Sequence, residues 1–571
     1  MSSSRLGHDL QVGGDAKEET FFAELLALST SNDPPSLYEE FRTQFAISSK
    51  ALEELDSRIR ELSISAIPTS LKEERAREVE KKRLYLSILQ PIRRLPPEIL
   101  AEIFRIRTYN DVDLQWRDFP GSLDTRKFPW APGQVCRTWR LVALSTPDLW
   151  AKINVSWTGR VSPERAASLE WLMSLHLERA QEQPLDISFY SGNLSDSPNG
   201  RLQDKLLLLL CSRASQWRSS RLGGDVEGFV HLCPFRGAFR LLENLEIHFL
   251  NDDWTIDLIC PFSVFEDCPS LTRFVLRGEP AILVQKENQI PWGQITHYEA
   301  RQTEEWLPDT HEHFEVLPKL DSVRVCVLDA YYSDSRPRVL LAPNFEFLHT
   351  LVLRHAGAMS VGTGIPILLT WLVVPALRIL RFPDGFDCPV ELIDFLDRSQ
   401  CSLKELALTM DGEMAFAHDF ADNLIRLLKS GALRGLRTFQ FRGTCWRDDE
   451  FQQRMWDAIF ETLTFGVKGD QLLMPQLRRL TLDGITTTSY PPTIRNDEAL
   501  CAMVSSRCFI EPDIMAERGL CRLEEMTLWN FGEDNTIPLK QSSMDRLGEI
   551  SSTQGLTFNW YWGRLDWSIV D

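Results

Sequence analysis

The spacing of apolar residues changes character three times along the chain. From about residue 36 to 90 it follows a helix: Ile47, Leu52, Leu55, Ile59 and Leu62 recur at three- to five-residue steps with charges between them. Pro68 interrupts the pattern, and LKEERAREVEKKRLYLSILQ resumes it as far as Pro91. Two helices joined around Ile67–Ser70 can fold back as an antiparallel hairpin or pair with another chain as a coiled coil, and the heptads do not choose between these. Residues 1–35 are rich in Ser, Gly and Asp and read as a flexible N-terminus with one apolar patch, FFAELLAL, at 21–28.

The rhythm changes between 95 and 150. LPPEILAEIF sets Pro96 and Pro97 ahead of Glu98, as proline sits in a first helical turn, and Ile99, Leu100, Ile103 and Phe104 form one apolar stripe. QVCRTWRLVALSTPDLW repeats the device: Val135, Trp139 and Val142 share a face beside Cys136, and Pro147 stops the helix before Leu149 and Trp150. Arg93, Arg94, Arg137 and Arg140 decorate the outside. The middle segment, Ile106 to Pro132, holds exposed-looking aromatics: Trp116, Phe119, Phe128 and Trp130. AKINVSW and PLDISFY then alternate as strands. SPERAASLEWLMSLHLERAQEQ, with Ser162 as N-cap, and LQDKLLLLLCSRASQW read as helices.

From 240 onward a short motif, LxxLxL with substitutions, recurs. Copies begin at Leu242, Leu271, Leu320, Leu348, Leu377, Leu403, Leu436, Leu477 and Leu523, with a degenerate one at Ile295. Most steps are 24–29 residues and the last three are longer, a spacing typical of leucine-rich repeats. First, fourth and sixth positions would point into a shared core that stacking completes. Segments 391–400 and 421–430 would supply an outer helical layer. Third, fifth and seventh positions would point outward, and there arginine predominates: Arg273, Arg277, Arg301, Arg324, Arg354, Arg381, Arg442 and Arg479, against Glu246, Glu299, Glu405, Asp483 and Glu525. Guanidinium grips carboxylate and phosphate bidentately. Arg277, Arg301, Arg324, Arg354, Arg381 and Arg442 are therefore candidates for holding an acidic or phosphorylated protein substrate.

Composition narrows the classes. The formal charge of −19 disfavours nucleic acid as a partner. No stretch reaches the ~18 apolar residues needed to cross a bilayer, and the N-terminal sequence lacks the apolar core of a secretory signal. The 12 cysteines contain no CxxC pair, which points to buried thiols in a reducing compartment rather than a zinc site. The expected location is intracellular, cytoplasmic or nuclear. No phosphate-binding loop or nucleophile elbow occurs, and HEHFE at 311–315 reads as an exposed connector, not a metal motif. No cofactor, metal or active site of its own is expected.

The block at 95–150 resembles an F-box. Leu95, Pro96, Glu98, Ile99, Leu100, Ile103 and Phe104 match the first half of that family's pattern. Val135, Cys136, Arg137, Trp139, Arg140, Pro147, Leu149 and Trp150 match the second. The coiled segment before it, the enlarged middle and the run VCRTWRLVALSTPDLWAKI are similar to F-box proteins of mushroom-forming fungi. The resemblance implies docking of a Skp-type adaptor, and through it cullin, by Leu95, Pro96, Ile99, Leu100, Ile103, Val135, Cys136, Trp139 and Trp150, some of which would instead hold the domain's own core. The implied architecture is α/β: a flexible N-terminus (1–35), a helical segment (36–91), an F-box (92–157) enlarged at 106–132, and an irregular leucine-rich-repeat solenoid (158–571). The implied function is substrate recognition for a Skp–cullin–F-box ubiquitin ligase. A protein-interaction scaffold using the same repeat surface without ubiquitination is the alternative.

Overall fold

A computed structural model of the chain describes residues 14–31, 38–62, 68–110, 121–157, 162–191, 200–224, 226–249, 261–278, 289–301, 311–330, 344–355, 364–411, 420–444, 449–465, 473–484, 497–529 and 539–561. The chain divides into two compact units, one from Met1–Tyr190 with Asp196–Gln216, the other from Ser191–Ser195 with Trp217–Asp571.

The first unit begins with three helices, α1 (Gly14–Ser31), α2 (Tyr38–Glu61) and α3 (Thr69–Ile88). Helices α2 and α3 run antiparallel: Ser48 Oγ donates to Glu78 Oε2 at 2.7 Å, Arg75 Nε donates to Asp56 Oδ1 at 2.5 Å, and the Phe41 and Tyr85 rings lie 6.4 Å apart. The segment 36–90 thus folds back on itself within the chain. Its open side is closed by α1, whose Leu25 is buried with Leu84, Tyr85 and Ile88 while Phe21, Phe22 and Leu28 pack around them. For residues 14–31 the expectation of a flexible segment is corrected, because the FFAELLAL patch lies on a helix that buries apolar area the hairpin alone leaves open; residues 1–13 and 32–35 lie outside the described residues.

Next come α4 (Pro97–Asn110), α5 (Arg137–Leu144), strand β1 (Lys152–Trp157), α6 (Pro163–Ala180), β2 (Leu185–Ser191) and α7 (Gly200–Cys211). The Cys136 thiol caps α5 by accepting from Trp139 N at 3.4 Å, and Ser162 Oγ caps α6 by accepting from Arg165 N at 3.4 Å. Phe128 and Trp130 are not exposed as expected. Phe128 packs on Phe104 at 5.9 Å, and Trp130 sits edge-on to Trp150 at 4.9 Å. Burial of such large apolar surfaces outweighs the polar company they keep in sequence. Trp116 and Phe119 lie outside the described residues.

Twelve strands of the second unit pair in chain order: β3 (Trp217–Gly224), β4 (Asn244–Phe249), β5 (Arg273–Arg277), β6 (His297–Arg301), β7 (Val325–Ala330), β8 (Thr350–His355), β9 (Ile379–Phe382), β10 (Glu405–Asp411), β11 (Thr438–Thr444), β12 (Arg479–Asp483), β13 (Glu525–Trp529) and β14 (Thr557–Tyr561). Every neighbouring pair is parallel, so each connection must cross over, and the order does not close on itself. Helices Pro389–Ser399 and Phe420–Leu428 fall where the outer segments were expected, between β9 and β10 and between β10 and β11.

Strand register identifies the repeat frame. Residues at the first, fourth and sixth positions are buried throughout, as at Leu242, Leu245 and Ile247 or Leu403, Leu406 and Leu408, none of them more than 1% exposed. One copy is displaced. Val325 pairs with Thr350, and Cys326 with Leu351, so the unit equivalent to Leu348–Leu353 starts at Val323 and not at Leu320. A further copy precedes the array at Trp217, in register with Leu242. The fifth positions depart from expectation as well. Val275, Val327, Val352 and Ala407 are at most 2% exposed, so the outward face is closed over by side chains at these positions and open only at their flanks.

Candidate functional site

Two features of the chain could meet a partner. The first is on the helical unit. Helix α4 divides cleanly: Leu100 and Phe104 point inward at 2% and 1% exposure, while Ile99, Ile103 and Ile106 stand out at 49%, 40% and 53%. Positions 99, 103 and 106 lie along one helical face. Its neighbour α5 buries Val142 and Ala143 and exposes Leu141 and Leu144, with Val135 exposed just ahead of it.

A rigid interior holds these outward residues. Trp139 packs against Phe104 at 5.2 Å, and Trp150 Nε1 donates to Ala143 O at 2.8 Å. Arg105 ties α4 to the following turn through Asp148, Nε to Oδ2 at 2.5 Å. Behind them Trp130 and Trp150 flank His176 on α6, and the Arg179 guanidinium stacks over both indoles at 4.6 and 4.5 Å. Burial pushes the His176 imidazole down to about 4. It is a neutral packing residue at physiological pH.

The nine residues that the resemblance assigns to docking therefore separate. Ile99, Ile103, Val135 and Pro96 are exposed, and Leu95 and Trp139 are half-buried. Leu100, Cys136 and Trp150 belong to the interior. Ile106, Leu141 and Leu144 complete the outward set and were missed in sequence; the helical spacing from Ile99 was the signal for Ile106.

The second feature is the arginine-bearing sheet face, and here the expectation of free cations is corrected. Arg277 Nε donates to Glu246 Oε1 at 2.6 Å, Arg301 Nε lies 2.5 Å from Glu299 Oε1, and Arg381 Nε donates to Glu405 Oε1 at 2.8 Å. Arg354 meets Asp384 at 2.8 Å and Asp329 at 3.5 Å, and Arg442 meets Asp483 at 2.8 Å. Each of these arginines has an acid on its own strand, on a neighbouring strand or just beyond one, so the face neutralises itself. Glu299 is its centre. Burial alone would raise that carboxyl, but the His297 imidazole 3.7 Å away and the charges of Arg301, Arg277 and Arg273 outweigh it and hold it at about 2. Arg324 is absent from this face, because the corrected frame makes it a second-position residue beside the strand entrance.

Chemistry of other kinds finds little support among the described residues. No group of His, Cys, Asp and Glu is placed to hold a metal ion. His313 is not on an exposed connector: it is 2% exposed in the helix His311–Val316, with Nε2 2.9 Å from Asp329 O. Burial raises the thiols of Cys211 and Cys268 to about 12 and of Cys401 and Cys508 to about 11, which keeps them protonated. Among the described residues no helix is long and apolar enough to cross a membrane. Compared with models of known protein families and with curated proteins, the chain matches none.

Proposed function

We propose that the chain is an adaptor of F-box type, docking a Skp-type protein through α4 and α5 and capturing a target on an irregular leucine-rich-repeat solenoid. The observation behind this reading is the split of α4: Ile99, Ile103 and Ile106 face solvent on a helix whose opposite side, Leu100 and Phe104, is packed. Clustered exposed isoleucines on a rigid helix are disfavoured in a free protein and favoured in an interface core. In this role the chain does no bond chemistry. It raises the local concentration of a target lysine beside a ubiquitin-charged enzyme that the cullin carries.

The test is capture of the Skp-type adaptor and cullin by the full chain, compared with Ile99→Asp combined with Ile103→Asp. The reading expects both partners with the natural chain and neither with the variant, at an unchanged unfolding midpoint. If the natural chain captures no adaptor, the reading falls.

A further inference from the structure

The corrected repeat frame uncovers a row that the uncorrected one hides. From β4 to β12 the second residue of each repeat stands just before its strand, and its carbonyl accepts two N–H groups from the next repeat. Arg378 O accepts from Lys404 N at 2.7 Å and Glu405 N at 2.9 Å, and Lys404 O accepts from Arg437 N at 2.8 Å and Thr438 N at 3.0 Å. The same pair of bonds joins Arg324 to His349 and Thr350, and Arg437 to Arg478 and Arg479. The second-position residues are thereby stacked at the strand spacing of ~4.8 Å. From β7 to β12 they read Arg324, His349, Arg378, Lys404, Arg437 and Arg478: six consecutive basic residues in a chain whose net charge is −19.

Three of them, Arg324, Arg378 and Arg437, differ from the arginines of the sheet face in having no carboxylate among the described residues to neutralise them, while partial burial and the charges of Arg378 and Arg324 hold the His349 imidazole below its ordinary value. Arg324, Arg378 and Arg437 are exposed, and among the described residues none of them makes an ion pair. Among the described residues Lys404 Nζ reaches only Gly435 O, at 3.4 Å. Arg478, at the end of the row, does have a carboxylate, Glu524 at 2.6 Å. The first five of the six line a groove of about 780 Å3. Pro375, Ala376 and Phe347 give it an apolar part, Phe347 being 56% exposed, and Glu346 is its single acidic side chain.

We propose that this groove at the strand entrances, and not the sheet face, binds an acidic segment of a partner protein, with Arg324, Arg378, Lys404 and Arg437 taking its carboxylates and Phe347 an adjacent apolar side chain. Charge complementarity identifies the occupant. Unpaired guanidiniums at fixed spacing suit carboxylates bidentately, and a mixed charged and apolar lining suits a peptide. A long nucleic acid would gain the same few contacts while facing a strongly negative protein around them. The inference rests on reading the repeat array as the target-capturing part. It does not depend on α4 and α5, so adaptor capture and peptide binding can fail separately.

The test is fluorescence anisotropy of the full chain with a labelled twelve-residue peptide carrying Glu at alternate positions and one Leu. Its Gln counterpart and a single-stranded DNA of equal charge are the comparators. Binding of the Glu peptide at least about tenfold tighter than the Gln peptide is expected, with a similar loss in Arg378→Glu combined with Arg437→Glu. Both arginines are exposed and unpaired, so the variant should unfold at the natural urea midpoint. Arg426→Glu, on the helix Phe420–Leu428, lowers net charge away from the groove and should stay within about twofold of the natural affinity. Equal affinity for Glu and Gln peptides, undiminished binding by the double variant, or tighter binding of DNA would each overturn the proposal.

Discussion

Arg442 on β11 and Asp483 on β12 are register partners, with Nε 2.8 Å from Oδ2 and the acid side chain fully shielded from water. The pair shows why arginine accumulates on this sheet face: a carboxylate buried between parallel strands needs a guanidinium on the next strand. Arg354 and Asp329 stand in the same register relation on β8 and β7. Such a face holds the stack together and has little charge left over for a ligand.

Removing one half of this pair should therefore be more harmful than removing both. Arg442→Ala leaves the buried Asp483 without its guanidinium and should destabilise the second unit by about 3–5 kcal/mol. Arg442→Met combined with Asp483→Leu should recover most of that loss. Urea denaturation of the two variants decides it, and equal midpoints would contradict the assignment.

Acid should act through His176 and Glu299 in separate windows. His176 is held near 4 against an ordinary 6.5, so its unfolded form takes up a proton first, and the first unit loses stability as pH falls from about 6.5 to about 4. Glu299 is held near 2 against an ordinary 4.5, so its stabilisation is complete above about 4.5 and disappears as pH falls toward 2. His176→Leu should flatten the first window alone and Glu299→Gln the second alone. Hydrogen exchange read separately on α6 and on β6 would distinguish them.

Gly278, following β5, has φ of +133° and donates its N–H to Arg301 O at 2.8 Å. A Cβ there would meet Phe249 Cβ at 2.9 Å. Gly278→Ala should cost about 1–3 kcal/mol from backbone strain and the clash together. Thermal unfolding checks this, and a neutral result would contradict the strained backbone assigned to Gly278.

The inner and outer residues of α4 should separate in their effects. Phe104→Ala should destabilise the first unit by about 3–5 kcal/mol through the cavity it leaves. Ile106→Ser and Leu141→Ser should leave the unfolding midpoint within about 0.5 kcal/mol of the natural chain and reduce adaptor capture. Loss of capture without loss of fold is the outcome that separates an interface from a core.

Much of this architecture was legible because burial dictates residue type. The first, fourth and sixth positions of the repeats had to be apolar, and the strands stand where that pattern recurs. The frame at β7 was misread because LDSVRVCVL contains two overlapping apolar frames, Leu320-Val323-Val325 and Val323-Cys326-Leu328. Leucine made the wrong one look stronger, and only pairing with β8 distinguishes them. The ion pairs of Arg277, Arg354 and Arg442 were illegible for a related reason: a residue's partner lies on or just beyond another strand, about 30 or more positions away, at a register that local sequence does not state. Ile99 and Leu100 match one motif equally well and face opposite ways, which is a property of the helix's neighbours and not of the motif.

The doubled hydrogen bond at the strand entrances from β5 to β13 makes that edge a ruler whose graduations ignore repeat length. Leu403 to Leu436, Leu436 to Leu477 and Leu477 to Leu523 span 33, 41 and 46 residues, yet Arg437, Arg478 and Glu524 step along the edge by the same pair of bonds. Insertions elsewhere in a repeat can thus accumulate without altering what the edge measures. Two graduations amount to ~9.6 Å, close to the ~9.3 Å turn of a polyproline-type peptide, whose every third side chain would return to every second cation. A peptide with acids three residues apart would keep step with the row, and one with acids five apart would fall out of phase; their relative affinities measure whether the pitch is read.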